Sequence, residues 1–180
     1  MEILARQIEP NWVGVAEGLV DIRQLTTGAL AEMRALIFQL RPGALHEEGV
    51  VAAITKHAAA LSASQQLDIR VVGPKAKLIM EKSVEVQLFS ILREALHNVV
   101  KHAGAQKATV RLSVAGANHR HLVIEVEDNG SGFDSTIDRP GHFGLESMSE
   151  RIAELGGTFE VNSAPGCTVV RGRIPDVVDQ

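Results

Sequence analysis

The sequence predicts an α/β fold: a two-layer α/β sandwich preceded by a helix suited to a helical bundle. Segments with an apolar residue every three or four positions indicate helices, and segments in which apolar and polar residues alternate indicate strands. The strands come in neighbouring pairs, which is typical of antiparallel pairing, and their mixture with helices favours a sandwich. Apolar residues make up 45 % and aromatic residues 3 %, so the core must consist of Leu, Ile, Val and Ala.

The first predicted helix spans residues 13–40. Its apolar residues step by four and three without interruption, as in the seam of a coiled coil, and Thr26 is the one polar member. More apolar residues flank the seam, so the face suits a four-helix bundle. The alternative is an amphipathic helix packed on its own domain. A Pro-Gly pair ends the helix, and we predict a first segment of residues 1–42 and a domain of residues 43–180. The seam consists of Val15, Leu19, Ile22, Thr26, Ala29, Met33, Leu36 and Leu40.

Helices and strands follow one another along the rest of the chain. The third helix is strongly apolar on one side and polar on the other. A polar loop at residues 128–139 separates the third strand from the last helix. We predict helices at residues 48–65, 83–102 and 145–155, and strands at residues 68–72, 108–114, 122–127, 158–161 and 168–174.

Composition argues against several classes of protein. The net charge of −4, without a long block of like charge, argues against a nucleic-acid-binding protein. A single cysteine, Cys167, excludes an intrachain disulfide framework and a zinc site with several cysteines. No apolar run reaches the roughly 18 residues that span a bilayer, and the N-terminus lacks the apolar core of a signal peptide. We expect a soluble, cytoplasmic protein, although a longer parent protein could be membrane-bound.

The polar side of the third helix is the first candidate for chemistry. An α-helical spacing places Glu94, His97, Asn98, Lys101 and His102 on one face. A carboxylate and an amide four residues apart offer hard oxygen ligands to one small cation, and a nearby lysine can reach anionic oxygens. This set suits a Mg-phosphate group, since Mg²⁺ combines a few protein oxygens with water and substrate phosphates. The alternative is a solvated helix face with charge pairs along it.

Two glycine-containing segments are the next candidates. A strand delivers Asp128 into a loop with Gly130 and Gly132, where the backbone can approach a ligand and the carboxylate can accept from a base amino group. The alternative there is a hairpin turn, for which Asn-Gly is a strong signal. Further on, Gly141 and Gly144 lie in a loop that opens into a helix, whose free N–H groups can bind phosphate. Glycine before a helix is also common without a ligand.

These three segments, in this order, resemble the GHKL ATPase superfamily and, within it, the sensor histidine kinases. The N box is matched by REALHNVVKHA, the first glycine box by DNGSGF and the second by GHFGLESM. A closer resemblance, to the sensor kinases that pair with regulators of the nitrate-response type, is carried by MRALIFQLRP and LESMSERIAELGG. The resemblance implies the GHKL, or Bergerat-type, ATP-binding fold. It also implies that residues 1–42 hold the second helix of a dimerisation and phosphoacceptor region.

The resemblance implies a role for each residue near the phosphates. Asn98 would be the principal Mg²⁺ ligand. Glu94 would be the catalytic residue that orients a metal-bound water or assists at the γ-phosphate. Lys101 and His102 would contact phosphates. The second glycine box would complete the nucleotide-binding set with Gly141, Gly144 and Leu145.

At the other end of the site, the resemblance assigns Asp128 to the adenine amino group, with Gly130 and Gly132 permitting close approach. The segment between Phe133 and Gly141 would be a short lid over ATP.

Two features depart from the family. The third glycine box usually contains G-x-G-T, but residues 166–168 are Gly-Cys-Thr, which puts the placement of the Thr168 hydroxyl near the nucleotide in doubt. The family's phosphoacceptor, a histidine followed by an acidic residue, belongs on a helix before residue 13, and no such pair is present there. His46 precedes Glu47 but follows the Pro-Gly pair, so we expect it in a loop. We therefore expect that this chain does not phosphorylate itself.

Together these observations predict the ATP-binding catalytic domain of a two-component sensor histidine kinase, which binds Mg-ATP for phosphoryl transfer to a histidine on a missing helix. The expected partners are ATP, a response regulator and, in the full-length protein, a second copy of the chain. Nucleic acid is not expected. One alternative is an anti-sigma-type serine kinase, which uses the same pocket on a partner protein. Another is a non-catalytic module that binds nucleotide, or none, and serves in dimerisation.

Overall fold

All the described residues belong to one compact unit, Arg41–Gln180. The helix predicted at residues 13–40, the boundary predicted at residue 42 and His46 lie outside the described residues, so what was expected of them stays a prediction. The residues that the computed structural model describes are 45, 47–116, 121–133 and 143–176.

The helices and strands predicted for this part of the chain are all present, and the predicted α/β sandwich is confirmed. The largest shift of a boundary is in the fourth strand, which extends to Ala164 rather than ending at residue 161. In chain order the elements are α1 (Val50–Ser64), β1 (Asp68–Val72), α2 (Lys82–Asn98) followed by a π-helical turn (Val99–Ala103), β2 (Lys107–Ala115), β3 (His121–Asp128), α3 (Phe143–Glu154), β4 (Thr158–Ala164) and β5 (Cys167–Pro175).

The five strands form one sheet in the order β1-β2-β3-β5-β4. The pairs β2–β3 and β5–β4 are antiparallel, as the sequence predicts, and β3 also pairs with β5 in antiparallel fashion, which the sequence did not predict. β1 pairs with β2 in parallel, which the sequence pattern did not predict. Helix α2 lies between these two strands in the chain, and a helical crossover returns the chain to the end of the sheet from which it left. Neighbouring strands joined in this way are therefore parallel.

The helices cover one face of the sheet, here called the inner face. Along β2 and β3 every second residue is buried, because these side chains meet the apolar side of α2. Burial of apolar surface stabilises this contact by about 25 cal/mol per Å² and holds α2 against the sheet. The polar side of α2 is left for other contacts. The most fully buried side chains include Leu88, Leu92, Leu96, Val110, Leu122, Met148, Ile152 and Ile174.

Gly172 of β5 allows helix α3 to lie close to the sheet. Ile152 of α3 is fully buried, and a Cβ at Gly172 would overlap with its Cδ1 atom. Met148, one turn earlier in α3, is also buried. This packing fixes the direction of α3 and so the position of its first turn, which contains Gly144.

The outer face of the sheet carries charged residues in register. Arg111 Nη1 lies 2.8 Å from Glu125 Oε1, and Arg171 Nη2 lies 2.6 Å from Glu125 Oε2, across β2, β3 and β5. Burial alone would raise the pKa of Glu125, but the hydrogen bonds from Arg171 and Arg111 outweigh it and lower this pKa below its ordinary value. Both arginines are nearly half exposed, so solvent screens these ion pairs and they add little to stability. The outer face is therefore a hydrated surface.

Candidate functional site

Four parts of the chain meet at one end of the inner face. They are the end of α2, the loop after β3, the start of α3 and the turn between β4 and β5. The fold explains why they meet. α2 packs on the middle of the sheet, β3 and β5 are neighbouring strands, and α3 lies close to β5.

Gly144 brings the start of α3 against two polar side chains of α2. A Cβ at Gly144 would lie 2.6 Å from Glu94 Oε1 and 3.2 Å from Asn98 Nδ2. Since α3 begins at Phe143, the N–H groups of its first turn have no acceptor within the helix and can donate to an anion. A carboxylate, an amide oxygen and helix N–H groups therefore surround one place. This donor set fits Mg²⁺ together with phosphate oxygens.

Lys101 and His102 lie beyond the α-helical part of α2, on the π-helical turn. Both side chains are exposed, and Gly104 ends the turn in the left-handed conformation with φ 58°. A π-turn is wider than an α-turn, so these two residues are rotated away from the positions that α-helical spacing predicts. Of the residues predicted to share one face, Glu94 and Asn98 do lie together, since Gly144 approaches both. Lys101 and His102 stay predicted phosphate contacts.

Asp128 and Thr168 form a buried polar end of the site. They are direct partners on β3 and β5, and their exposed fractions are 7 % and 6 %. The N–H of Gly130 donates to Asp128 Oδ1 at 2.8 Å, and among the described residues it is the one donor to this carboxylate. The second oxygen can therefore accept from a ligand. Burial raises the pKa of Asp128 above its ordinary value. The Gly130 N–H offsets part of this rise, and the charge of Glu127 adds to it.

The loop after β3 contacts the π-helical turn that follows α2, and the contact is made at Gly130. A Cβ at this position would overlap with the carbonyl oxygen of Ala103. The N–H of Ser131 donates to that same carbonyl oxygen at 2.8 Å. Glycine is thus required at Gly130 because two backbone segments touch there, whether or not a ligand is bound.

Asn129 strengthens this attachment through its side chain. Its Oδ1 accepts from the N–H groups of Gln106, at 3.0 Å, and Lys107, at 2.8 Å. The sequence indicates Asn129 only as a turn residue. Its partners lie more than twenty residues earlier in the chain, and no local pattern marks such a bond.

The β4–β5 turn lies against the same loop from the other side. Gly166, with φ 87°, donates its N–H to the carbonyl oxygen of Gly130 at 2.8 Å. Gly132, with φ 67°, lies so close to Ala164 that a Cβ would overlap with its carbonyl oxygen. The shortened third glycine box therefore still packs beside the first one, and Thr168 still lies opposite Asp128.

Ser163 links this turn to the first glycine loop, a role that the sequence did not predict. Its Oγ accepts from the N–H of Phe133 at 2.9 Å and lies 2.9 Å from Thr168 Oγ1, where either hydroxyl can donate. A serine within a strand gives no local signal, because its importance here comes from two partners on other elements.

Part of the predicted second glycine box and lid lies outside the described residues. Gly141 and most of the predicted lid fall within residues 134–142, which the structure does not describe. Leu145 is described, in the first turn of α3, and is partly buried.

Among the described residues, no three of His, Cys, Asp and Glu form a group that could hold a metal ion. No helix in the described part of the chain is long and apolar enough to cross a membrane.

His57 lies in the packing between α1 and α2. Its ring and that of Phe89 are in a T-shaped arrangement, with the ring centroids 6.1 Å apart. Burial lowers the pKa of His57, and the charges of Arg93 and His97 lower it further. This is a packing contact between the two helices, and it gives His57 no place in the site.

The chain matches a known family over all four parts of the site. Residues 83–177 match the family described as "Histidine kinase-, DNA gyrase B-, and HSP90-like ATPase". The match begins within α2 and continues through β5. The chain therefore belongs to this family of ATPases.

The relatives narrow the assignment. The chain is 36 % identical over 145 residues to the sensor histidine kinase LiaS of Bacillus subtilis, a match that covers 81 % of this chain and 39 % of the relative. It is 30 % identical over 154 residues to the signal transduction histidine-protein kinase/phosphatase DegS of Brevibacillus brevis, covering 83 % and 39 %. The chain thus carries the ATP-binding domain of a sensor histidine kinase and spans about two fifths of the length of these relatives. The nitrate-response assignment stays a prediction.

A solved structure shows the same fold. The blue-light activated histidine kinase of Erythrobacter litoralis superimposes with a TM-score of 0.60 at 21 % identity, over 71 % of this chain and 42 % of that chain.

Two of the left-handed glycines of the site, Gly104 and Gly132, differ in the space around them, which predicts different effects on stability. Gly104→Ala introduces left-handed strain of about 1–2 kcal/mol. It introduces no overlap, because nothing lies within 4 Å of the added Cβ. Gly132→Ala adds the overlap with the Ala164 carbonyl to the same strain. We expect a larger loss of unfolding free energy for Gly132→Ala, measured by urea denaturation. Equal losses would contradict the close packing of the two glycine boxes.

The raised pKa of Asp128 predicts that this residue destabilises the folded protein at neutral pH. The folded state holds the Asp128 proton more tightly than the unfolded state. The contribution of Asp128 to unfolding free energy therefore decreases as pH rises from the ordinary aspartate pKa through the raised one. Asp128→Asn does not titrate and can still accept from Gly130. Urea denaturation from about pH 3 to 7 should show the variant gaining stability relative to wild type as pH rises. A difference that does not change with pH would contradict the burial argument.

Proposed function

We propose that this chain binds Mg-ATP at the site described above and transfers the γ-phosphoryl group to a histidine on a bundle helix of the longer protein. The observation that supports this most is the approach of Gly144 to Glu94 and Asn98. It brings a helix start, which can donate N–H groups to phosphate, against two side chains that can offer oxygen ligands, in a chain that belongs to an ATPase family.

Asn98 would hold Mg²⁺ through its amide oxygen. A bound Mg²⁺ neutralises charge on the β- and γ-phosphate oxygens and so favours phosphoryl transfer. Gly144 and the first turn of α3 would donate N–H groups to the phosphates, and Leu145 continues that turn. Lys101 and His102, exposed on the π-turn, would bring positive charge to the same group.

Asp128 would select the base. Its second carboxylate oxygen can accept from the adenine amino group, since the first already accepts from Gly130. Thr168 offers a hydroxyl beside it. Gly130 and Gly132, which carry no side chains, would permit the close approach of the base to this loop.

Glu94 would act in the transfer itself. Phosphoryl transfer depends mainly on the positions of the reacting groups and on electrostatic stabilisation. The carboxylate of Glu94 lies against the first turn of α3, as Asn98 does, and there it would orient water or the incoming nucleophile beside the γ-phosphate. Its removal should affect the rate more than the binding of nucleotide.

The longer protein would be a cytoplasmic or membrane-bound homodimer. The apolar seam from Val15 to Leu40 supports dimerisation through a helical bundle. The relatives LiaS and DegS are a sensor histidine kinase and a signal-transduction histidine kinase/phosphatase. Phosphoryl transfer from the histidine to a response regulator is proposed on that basis.

Nucleotide binding should depend on Mg²⁺ through Asn98. We expect ATP and ADP to bind with dissociation constants in the micromolar to millimolar range, or about −4 to −8 kcal/mol. Asn98→Ala should remove most of the Mg²⁺ dependence, as measured by calorimetry with and without the metal. As a control, Asn162→Ala changes an exposed asparagine on the outer face and should leave the Mg²⁺ dependence of binding intact. No heat and no thermal shift at millimolar Mg-ATP would refute the proposal.

Phosphoryl transfer should require an added phosphoacceptor helix. With γ-labelled ATP, this chain alone should gain no stable label, because the sequence offers no His-acid pair on a bundle helix. Adding a peptide with the phosphoacceptor helix of the longer protein should produce acid-labile label on that peptide. Glu94→Gln should lower this rate by more than it weakens ATP binding. Stoichiometric acid-labile label on the chain alone would contradict this expectation.

A further inference from the structure

Three polar side chains lie in one row across three strands at the buried end of the site. Ser163 on β4 is the direct partner of Thr168 on β5, and Thr168 is the direct partner of Asp128 on β3. Thr168 and Asp128 are buried, and Ser163 is partly buried. Direct partners on antiparallel strands have their side chains on the same face, about 4.5–5.5 Å apart at Cβ. The row therefore forms a continuous polar strip on the inner face.

We infer that Ser163 is a positioning residue that directs the hydroxyl proton of Thr168 into the base-binding space, and so helps the site to select adenine. The inference rests on the proposed binding of ATP and adds the means of base selection.

The hydrogen bonds of Ser163 determine which hydroxyl donates. Ser163 Oγ accepts from the N–H of Phe133 at 2.9 Å and lies 2.9 Å from Thr168 Oγ1. A hydroxyl that accepts a hydrogen bond becomes a better donor, because hydrogen bonds in a chain polarise one another. Donation from Ser163 to Thr168 completes such a chain: Phe133 N–H to Ser163, then Ser163 O–H to Thr168. The proton of Thr168 then points away from Ser163, towards the space beside Asp128.

This arrangement gives the site one acceptor and one donor next to each other. Asp128 accepts, and Thr168 donates. The edge of adenine carries the reverse pair, an amino group that donates and the N1 atom that accepts. Guanine carries the O6 acceptor and an N1–H donor instead. Adenine therefore satisfies both Asp128 and Thr168, directly or through one water molecule, whereas guanine faces the carboxylate with an oxygen.

Loss of the Ser163 hydroxyl would release the Thr168 proton. Without the hydrogen bond that Ser163 donates to Thr168 Oγ1, the direction of the Thr168 hydroxyl proton is no longer fixed by that bond. The proton would then point to N1 of adenine for only part of the time. Ser163→Ala should therefore weaken recognition of N1 although Ser163 itself does not touch the base.

The test compares ADP with 1-deaza-ADP, which lacks the N1 acceptor, by calorimetry in the presence of Mg²⁺. Wild type should prefer ADP by about tenfold, the effect of roughly one hydrogen bond. In Ser163→Ala the preference should fall below about threefold. Ser163→Thr, which retains a hydroxyl, should restore it. Thr168→Val keeps the bond between Ser163 and Phe133 and should lose the preference as Ser163→Ala does.

The outcomes separate the two proposals. If wild type binds neither nucleotide, the proposed function fails. If wild type binds ADP and Ser163→Ala keeps the tenfold preference, the role of Ser163 is refuted while ATP binding stands. Should Ser163→Ala fail to fold, Thr168→Val decides, since a full preference in that variant would also refute the inference.

Discussion

The contacts of Gly130 hold the site together. Its N–H donates to Asp128, its carbonyl oxygen accepts from Gly166, and its Cα lies against the carbonyl oxygen of Ala103. One residue without a side chain thus joins the end of α2, the end of β3 and the β4–β5 turn. A larger residue would have to push α2 away from the loop, because the atom it would meet belongs to the backbone. The position of Asp128 relative to Asn98 follows from this single close packing.

The site combines groups that the fold does not need for stability. Asp128 is buried, and burial disfavours its charged form. The hydrogen bond from the Gly130 N–H offsets only part of this cost. By contrast, Arg111, Glu125 and Arg171 on the outer face pair with one another, and both arginines are nearly half exposed. Strained or unfavourable groups concentrate at functional sites, where the surrounding structure holds them in place. Here the apolar contact between α2 and the sheet supplies that support.

Sequence periodicity predicted the helices and strands well because burial on one side determines each pattern. The polar side of α2 also predicted a common face for Glu94 and Asn98, and Gly144 approaches both side chains. Their roles at a nucleotide stay predictions. The parallel pairing of β1, the π-turn and the bonds of Asn129 and Ser163 could not be predicted in this way. Each depends on partners far along the chain, and a side-chain hydrogen bond leaves no periodic trace. The altered third glycine box raised a doubt about Thr168; this residue lies opposite Asp128 on β3, and its contact with a nucleotide stays a prediction.

The order of the strands has a consequence for synthesis of the chain. β5 is the last strand of the described sheet in sequence, yet it lies inside that sheet, between β3 and β4. As the chain leaves the ribosome, β4 emerges before β5 but has no other described strand to pair with. The edge of β3 stays open until β5 arrives and brings Thr168 and the neighbouring turn into place. Nucleotide can therefore stabilise the newly made domain only after nearly the whole domain has been synthesised.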